Sequence, residues 1–230
     1  MANYFSFDGV NSTVYNTYIA KSNMFDAPEE DVEAISVPGS NRIVYLHSGA
    51  YKPFTITAEC YIPNGMQSNV DDLRAFLKSH TRECRYFEAL KPSEYRLASF
   101  IEAFNMGSSD RKGAAFTLQF MARPERFLVT GDTPAVLTAD GTVTNPSLFS
   151  SKPLIRIYGT GTVDIDGQII KVNTVDGYVD IDFDTLQAYK GSVNCNNDVE
   201  FDELTLHPGV NNVNITDVTE VDITGRWYTL

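Results

Sequence analysis

Over most of its length the chain alternates apolar with polar residues, the period of a strand with one buried face. Phe54, Ile56, Ala58 and Cys60 share one side of a run that ends at Ile62. Phe116, Leu118 and Phe120 share one side of Ala114 to Ala122. Within Met1 to Val10, the aromatics Tyr4, Phe5 and Phe7 predict a strand ending at Asp8-Gly9, and Asn11 to Tyr18 continues with β-prone residues. A polar, acidic loop from Phe25 to Asp31 leads into Val32 to Val37 and a turn at Pro38-Gly39. Ile43 to Leu46 is the next strand, with a turn expected at Ser48-Gly49. Cys84 to Leu90 and Tyr95 to Phe104 flank a turn at Lys91-Pro92-Ser93-Glu94, and Asn105 to Gly113 reads as a loop.

One stretch keeps a different period. Val70, Leu73, Phe76 and Leu77 recur at helical spacing, with Ser68 or Asn69 as cap and Asp71 and Asp72 in the first turn, where the helix dipole favours acids. Lys78 and His80 lie near its end. The pattern predicts one helix over Asn69 to Ser79, covering an open side of a sheet. Arg123-Pro124-Glu125 closes this half.

From Gly131 to Pro146 the composition thins to Gly, Pro and Asn punctuation, which reads as a domain junction. The expected domains are residues 1–132 and 133–230. Beyond the junction helical periodicity disappears. Strands are expected at Leu154 to Tyr158, Thr162 to Ile165, Gln168 to Val172, Tyr178 to Phe183, Val213 to Ile215 and Val218 to Ile223. Turns fall at Gly159-Thr160-Gly161, Asp166-Gly167, Asp176-Gly177 and Pro208-Gly209. Many short strands with regular turns predict a sandwich or barrel, so the fold class is mainly β with one helix.

Charge sharpens the division. Residues 1–130 carry 13 Lys and Arg against 15 Asp and Glu, a net −2, whereas residues 131–230 carry 5 against 15, a net −10. The acidic half repels phosphate backbones and anionic membranes, so no direct nucleic-acid binding is expected. No apolar run approaches the roughly 20 residues of a membrane helix, and the N-terminus has no basic and apolar segments of a secretory signal. Cys60, Cys84 and Cys195 are odd in number and far apart, which reads as three reduced, mostly buried thiols made in a cytoplasm.

Candidate chemistry is sparse. Asp180-Ile181-Asp182-Phe183-Asp184, with Asp164 and Asp166, invites a metal reading, but no Gly follows the third Asp and Gly191 stands where a calcium loop needs its Glu. Strand period instead places the three Asp on one solvated face. Gly159-Thr160-Gly161 lacks the third glycine of a dinucleotide fingerprint and leads into strands. His47, His80 and His207 stand near no Ser, Cys or acid in a recognised catalytic spacing, and there is no nucleophile elbow or HExxH. No catalytic residue, metal ligand or cofactor is expected, and the chain does not read as an enzyme.

The order of several motifs resembles the distal tail proteins of long-tailed phages. Phe5-Ser6-Phe7-Asp8-Gly9-Val10-Asn11-Ser12 is similar to the family opening, and Ile35 to Arg42 to its Pro-Gly segment, with Asn41-Arg42 where a second glycine is usual. Asp72-Leu73-Arg74-Ala75-Phe76-Leu77 resembles the family helix. Thr144-Asn145-Pro146 and Lys152 to Gly161 resemble the junction and first C-terminal strand. Tyr178 to Asp182, Asn194 to Asn197, Leu206 to Val213 and the Arg226 to Leu230 ending follow in the family order.

The resemblance implies an N-terminal split β-barrel-like domain with one helix and a C-terminal galectin-like β-sandwich, in the short form without an inserted carbohydrate-binding module. It implies a homo-hexameric ring at the virion tail tip. Implied partners are the major tail tube protein, a tail-associated lysin or fibre protein and, in some phages, a receptor-binding protein. The competing reading is a glycan-binding module for host cell walls. Such a site needs exposed aromatics beside polar groups, and Trp227 is the only Trp.

Overall fold

A computed structural model describes residues 3–64, 66–109 and 113–230. The first two residues of the predicted opening segment and residues 110–112 of the predicted 105–113 loop lie outside the described residues. The chain forms two units, Met1–Arg126 with Leu230 and Phe127–Thr229. The division falls ahead of the 132/133 boundary because Phe127 and Leu128 pair with the end of the chain. Leu128 N donates to Trp227 O at 2.7 Å, and the Phe127 and Tyr228 rings lie 6.2 Å apart.

The first unit holds β1 (Phe5–Phe7), β2 (Val10–Asn11), β3 (Tyr18–Ser22), β4 (Glu30–Ser36), β5 (Ile43–Tyr51), β6 (Phe54–Ile62), α1 (Met66–Ser79), β7 (Cys84–Glu88), β8 (Glu94–Ser99), β9 (Asn105–Ser109) and β10 (Ala114–Ala122). Its main sheet runs β2-β1-β7-β8-β10-β6-β3, with β9 also on β10, and among the described residues it does not close into a barrel. β6 and β10 pair over their full length, from Phe54↔Ala122 to Ile62↔Ala114, as expected of two clean alternations. Their buried side chains, Ile56, Ala58, Leu118 and Phe120, meet Val70, Leu73 and Leu77 of α1 in one core. Phe120 is at its centre, with ring centroids of Tyr86, Phe100 and Phe7 at 4.8, 5.2 and 5.4 Å.

Four local expectations change. The helix begins at Met66, so Ser68 and Asn69 lie inside it; Asp71 accepts from Arg74 Nη1 at 3.0 Å, one turn on, instead of facing the first turn. Ser12–Tyr15 forms a 3-10 turn despite its β-prone residues. Ser12 Oγ donates to Thr17 O and accepts from Phe5 N, which closes the turn, and Asn16 leaves it at φ +50°. Residues expected as loop after Phe104 include β9. Ser48-Gly49 is a bulge within β5, where Asp31 alone opposes Ser48, Gly49 and Ala50.

The second unit begins within β11 (Arg126–Leu128), at Phe127. It continues with β12 (Ala135–Leu137), β13 (Gly141–Asn145), β14 (Leu154–Tyr158), β15 (Gly161–Ile165), β16 (Gln168–Val172) and β17 (Tyr178–Asp182). β18 (Gln187–Lys190), β19 (Val193–Asn194), β20 (Val199–Phe201), β21 (Gly209–Thr216), β22 (Glu220–Thr224) and β23 (Tyr228–Thr229) complete it. Two antiparallel sheets, β12-β22-β14-β17-β18-β19 and β13-β21-β15-β16-β20, share one core. Ile155, Ile157, Val179, Ile181, Val221 and Ile223 enter it from the first sheet; Val143, Val163, Ile165, Ile170 and Val213 enter from the second. The sparse segment read as a junction thus supplies β12 and β13, edge strands of the two sheets. Among the described residues α1 is the one α-helix, and no helix is long and apolar enough to cross a membrane.

Candidate assembly surface

β4 and β5 stand apart from the main sheet as a two-stranded ribbon. Their sequence explains the pairing. Pro38-Gly39 makes the turn, with Gly39 at φ +77° and Ser40 N bonded to Val37 O at 3.0 Å. Ser48 Oγ donates to Asp31 O at 2.8 Å and accepts from Ala50 N, which fixes the bulge. At the base Lys52 Nζ meets Glu29 Oε1 at 2.6 Å and His47 Nδ1 meets Glu30 Oε1 at 2.8 Å.

Both faces of this ribbon are apolar and open. Ile35↔Val44 and Glu33↔Leu46 share one face; Val32↔His47, Ala34↔Tyr45 and Ser36↔Ile43 share the other. Tyr45 is 57% exposed, Ile43 54%, Leu46 50% and Val44 45%. A two-stranded ribbon is marginal in water without a third layer. A contiguous exposed apolar patch of this kind marks a contact surface.

The aspartates singled out from sequence do not form a solvated face. Asp180 is buried and receives Arg156 Nε at 2.7 Å and Nη2 at 3.1 Å, a forked pair across β14 and β17. Those bonds hold the Arg156 guanidinium above its ordinary pKa. Its plane also lies 4.3 Å from the Tyr178 ring. Asp182 receives Arg226 Nη1 at 2.7 Å and Nη2 at 2.9 Å. Burial opposes its ionisation, but the Arg226 bonds and charge, with the Asp184 and Thr185 backbone, outweigh burial and hold its carboxyl below the usual range. Arg156 and Arg226, two of the five basic residues between 131 and 230, thus neutralise the alternating aspartates, which period alone does not reveal. Asp164 accepts from Gly167 N at 2.7 Å within the turn, Asp166 accepts from Asn212 N of β21 at 3.1 Å, and Asp184 is exposed.

The remaining candidates disperse. Gly161, at φ +148°, lets β15 approach β21: a Cβ there would lie 2.2 Å from Thr216 O. Gly159-Thr160-Gly161 is therefore a close-packed turn. Trp227 is 7% exposed within the second core, so its face is not presented to a sugar. Cys60 and Cys84 are buried and Cys195 is partly exposed, all free. His207 Nδ1 lies 3.4 Å from Ser150 Oγ. His80, in contrast with the sequence expectation, stands beside both an acid and a thiol, Asp8 and Cys84. The His80 to Cys84 spacing of four residues was the available signal; Asp8 joins only through the pairing of β1 with β7.

The fold is thus an open β-sheet unit backed by one helix, followed by a two-sheet sandwich. The structure is similar to the crystal structure of the SPP1 Dit (gp 19.1) protein, with a TM-score of 0.73 and 14% sequence identity over the whole of both chains. That protein is described as a paradigm of the hub adsorption apparatus in phages infecting Gram-positive hosts. At this identity the likeness is one of fold. No protein-family model and no curated protein matches the sequence.

Proposed function

We propose that the chain is a structural distal tail protein of a long-tailed phage, assembling as a hexameric ring that joins the tail tube to the tail-tip adsorption apparatus. The observation that carries this reading is the β4–β5 ribbon, apolar on both faces and exposed, in a chain whose fold is Dit-like from end to end. A ring of identical subunits needs a heterologous contact, one patch meeting a different patch on the next copy. A ribbon that projects apolar side chains is suited to supply one side of that contact. Each half-exposed side chain gains roughly 1 kcal/mol on burial, so several together offset the cost of ordering the ribbon. Partners under this reading are the tail tube protein on one side and a tail-associated lysin or fibre protein, or a receptor-binding protein, on the other. The place is the virion tail tip.

The test is oligomeric mass by light scattering after size exclusion, over a concentration series, with negative-stain images of the heaviest species. Six-fold rings are expected, and Leu46→Asp, on the exposed face, is expected to leave monomers whose melting is unchanged. Monomers at every concentration, persisting after tube protein is added, would overturn the reading and turn attention to glycan-array binding.

A further inference from the structure

His80 follows the end of α1, and its ring is held by Phe7 and Phe76, with centroids at 5.2 and 4.8 Å. Its Nδ1 lies 2.8 Å from Phe76 O. A backbone carbonyl only accepts, so the ring proton sits on Nδ1 and Nε2 is turned outward. Nε2 faces Asp8 Oδ2 at 3.3 Å. Cys84, the first residue of β7, completes the group: the carboxylate oxygen, imidazole nitrogen and thiol sulfur all lie within 4.8 Å of one another. Asp8 is placed by the turn after β1, at φ +48°, with its N–H on Arg85 O at 3.0 Å.

We propose that Asp8, His80 and Cys84 bind one zinc-class divalent cation. Three features point there. With Nδ1–H spent on the Phe76 carbonyl, Nε2 is the nitrogen left to face a metal, the orientation that metal-bound histidines take through the same outer contact. When the ring is neutral, the Nε2 lone pair and the Asp8 carboxylate are two acceptors facing each other unless a positive charge stands between them. Thiolate, imidazole and carboxylate together select zinc over calcium or magnesium, which want oxygen alone. Tetrahedral zinc at its usual bond lengths separates its ligand atoms by roughly 3.3–3.8 Å, so the 3.3 Å edge already fits and the widest needs closing by about 1 Å. Asp8 lies at the exposed side and leaves the fourth position to water. Binding replaces the Cys84 S–H proton with an S–Zn bond and releases that proton to solvent; the thiolate and carboxylate balance the ion's charge. The ion would tie the β1–β2 turn, the end of α1 and the start of β7 together.

The test uses the full chain stripped by a chelator and titrated with zinc against a chromophoric competitor. One ion per chain is expected, with a thiolate-to-metal charge-transfer band when cobalt replaces zinc. Asp8→Asn, which suits a left-handed turn, and Cys84→Ser should each weaken binding at least about tenfold, and Cys84→Ser should remove the band. Cys195→Ser and His47→Gln should change neither. Failure to take up zinc, or uptake indifferent to Asp8→Asn and Cys84→Ser, would overturn the site and leave Asp8–His80 as a simple ion pair. If Cys84→Ser does not fold, judged by circular dichroism, Asp8→Asn decides.

Discussion

Arg96→Met removes a guanidinium that no solvent touches. Nε donates to Met24 O at 3.1 Å, Nη2 to Asp26 O at 2.9 Å, and Nη1 to Arg123 O at 3.1 Å and to Pro124 O. The Phe54 ring lies 4.1 Å beneath it. Burial, then the charge of Arg126, pushes its pKa down to about 10, which leaves it protonated at neutral pH. This one side chain joins the segment entering the ribbon to the end of β10. Methionine fills the apolar stem and leaves four carbonyls without their donor. A hydrogen bond to a charged group is worth roughly 1.5–3 kcal/mol, but removing the charge also recovers its desolvation cost. The net loss expected is about 3–5 kcal/mol, that of breaking one side of a buried charged arrangement.

For a unit of this size each kcal/mol moves the melting midpoint by roughly 3–5 °C, so a fall of about 10–20 °C is expected. The assay can assign it. Trp227 is the only Trp and belongs to the second unit. Its fluorescence follows that unit, while far-ultraviolet circular dichroism follows both. The early transition should appear in dichroism alone. Arg96→Lys keeps the charge but not the fork of donors, and should recover less than half of the loss. A dichroism midpoint within about 2 °C of the parent for Arg96→Met would refute the reasoning, because the four carbonyls would then have found other partners at no cost.

Gly161→Ala should cost at least about 2 kcal/mol in chemical denaturation, since its Cβ would meet Thr216 O at 2.2 Å in a backbone conformation that suits glycine; an unchanged midpoint would show that β15 and β21 can part freely. Asp182 has its pKa lowered in the fold, so its contribution is present above the unfolded value of about 3.9 and fades as pH falls through the folded one. Asp182→Asn should lose about 1–3 kcal/mol at pH 7 and show less acid sensitivity below pH ~4 in urea melts; an equal acid slope in both proteins would contradict this. Alkylation of the folded chain should label Cys195 first, because burial pushes the Cys60 thiol up and hides it; peptide mapping that finds Cys60 labelled as fast would refute it.

Period and punctuation were enough for β6, β10, β14 and β16, where one face is buried and the other open, so alternation writes the fold directly into the sequence. They failed where a polar pair replaces an apolar one. The Asp180 and Asp182 positions look solvated in sequence, and only the arrival of Arg156 from β14 and of Arg226 from the segment after β22 covers them. Short edge strands such as β12 and β13 escaped because Gly and Pro around them imitate a linker. The ribbon was legible only in part: the Pro38-Gly39 turn and the start of β5 stood out in sequence, but the length of β5 and the exposure of both faces did not, because an apolar run such as Ile43 to Leu46 carries no sign of being left uncovered. The Asp8, His80 and Cys84 group was hidden by distance along the chain, with only the His80 to Cys84 spacing local.

The partition of charge bears on how identical copies could meet. The first unit carries 13 basic and 15 acidic residues and the second 5 and 15, so their net charges are −2 and −10. Repulsion between two identical bodies grows as the square of their charge. At equal separation two copies of the second unit therefore repel about 25 times more strongly than two copies of the first. Screening over roughly 8 Å at physiological salt confines this to close approach, which is where packing occurs. The near-neutral unit is also the one that carries the uncovered apolar ribbon. Cohesion and low repulsion thus coincide on the first unit, which makes it the unit suited to contacts between copies in the proposed ring.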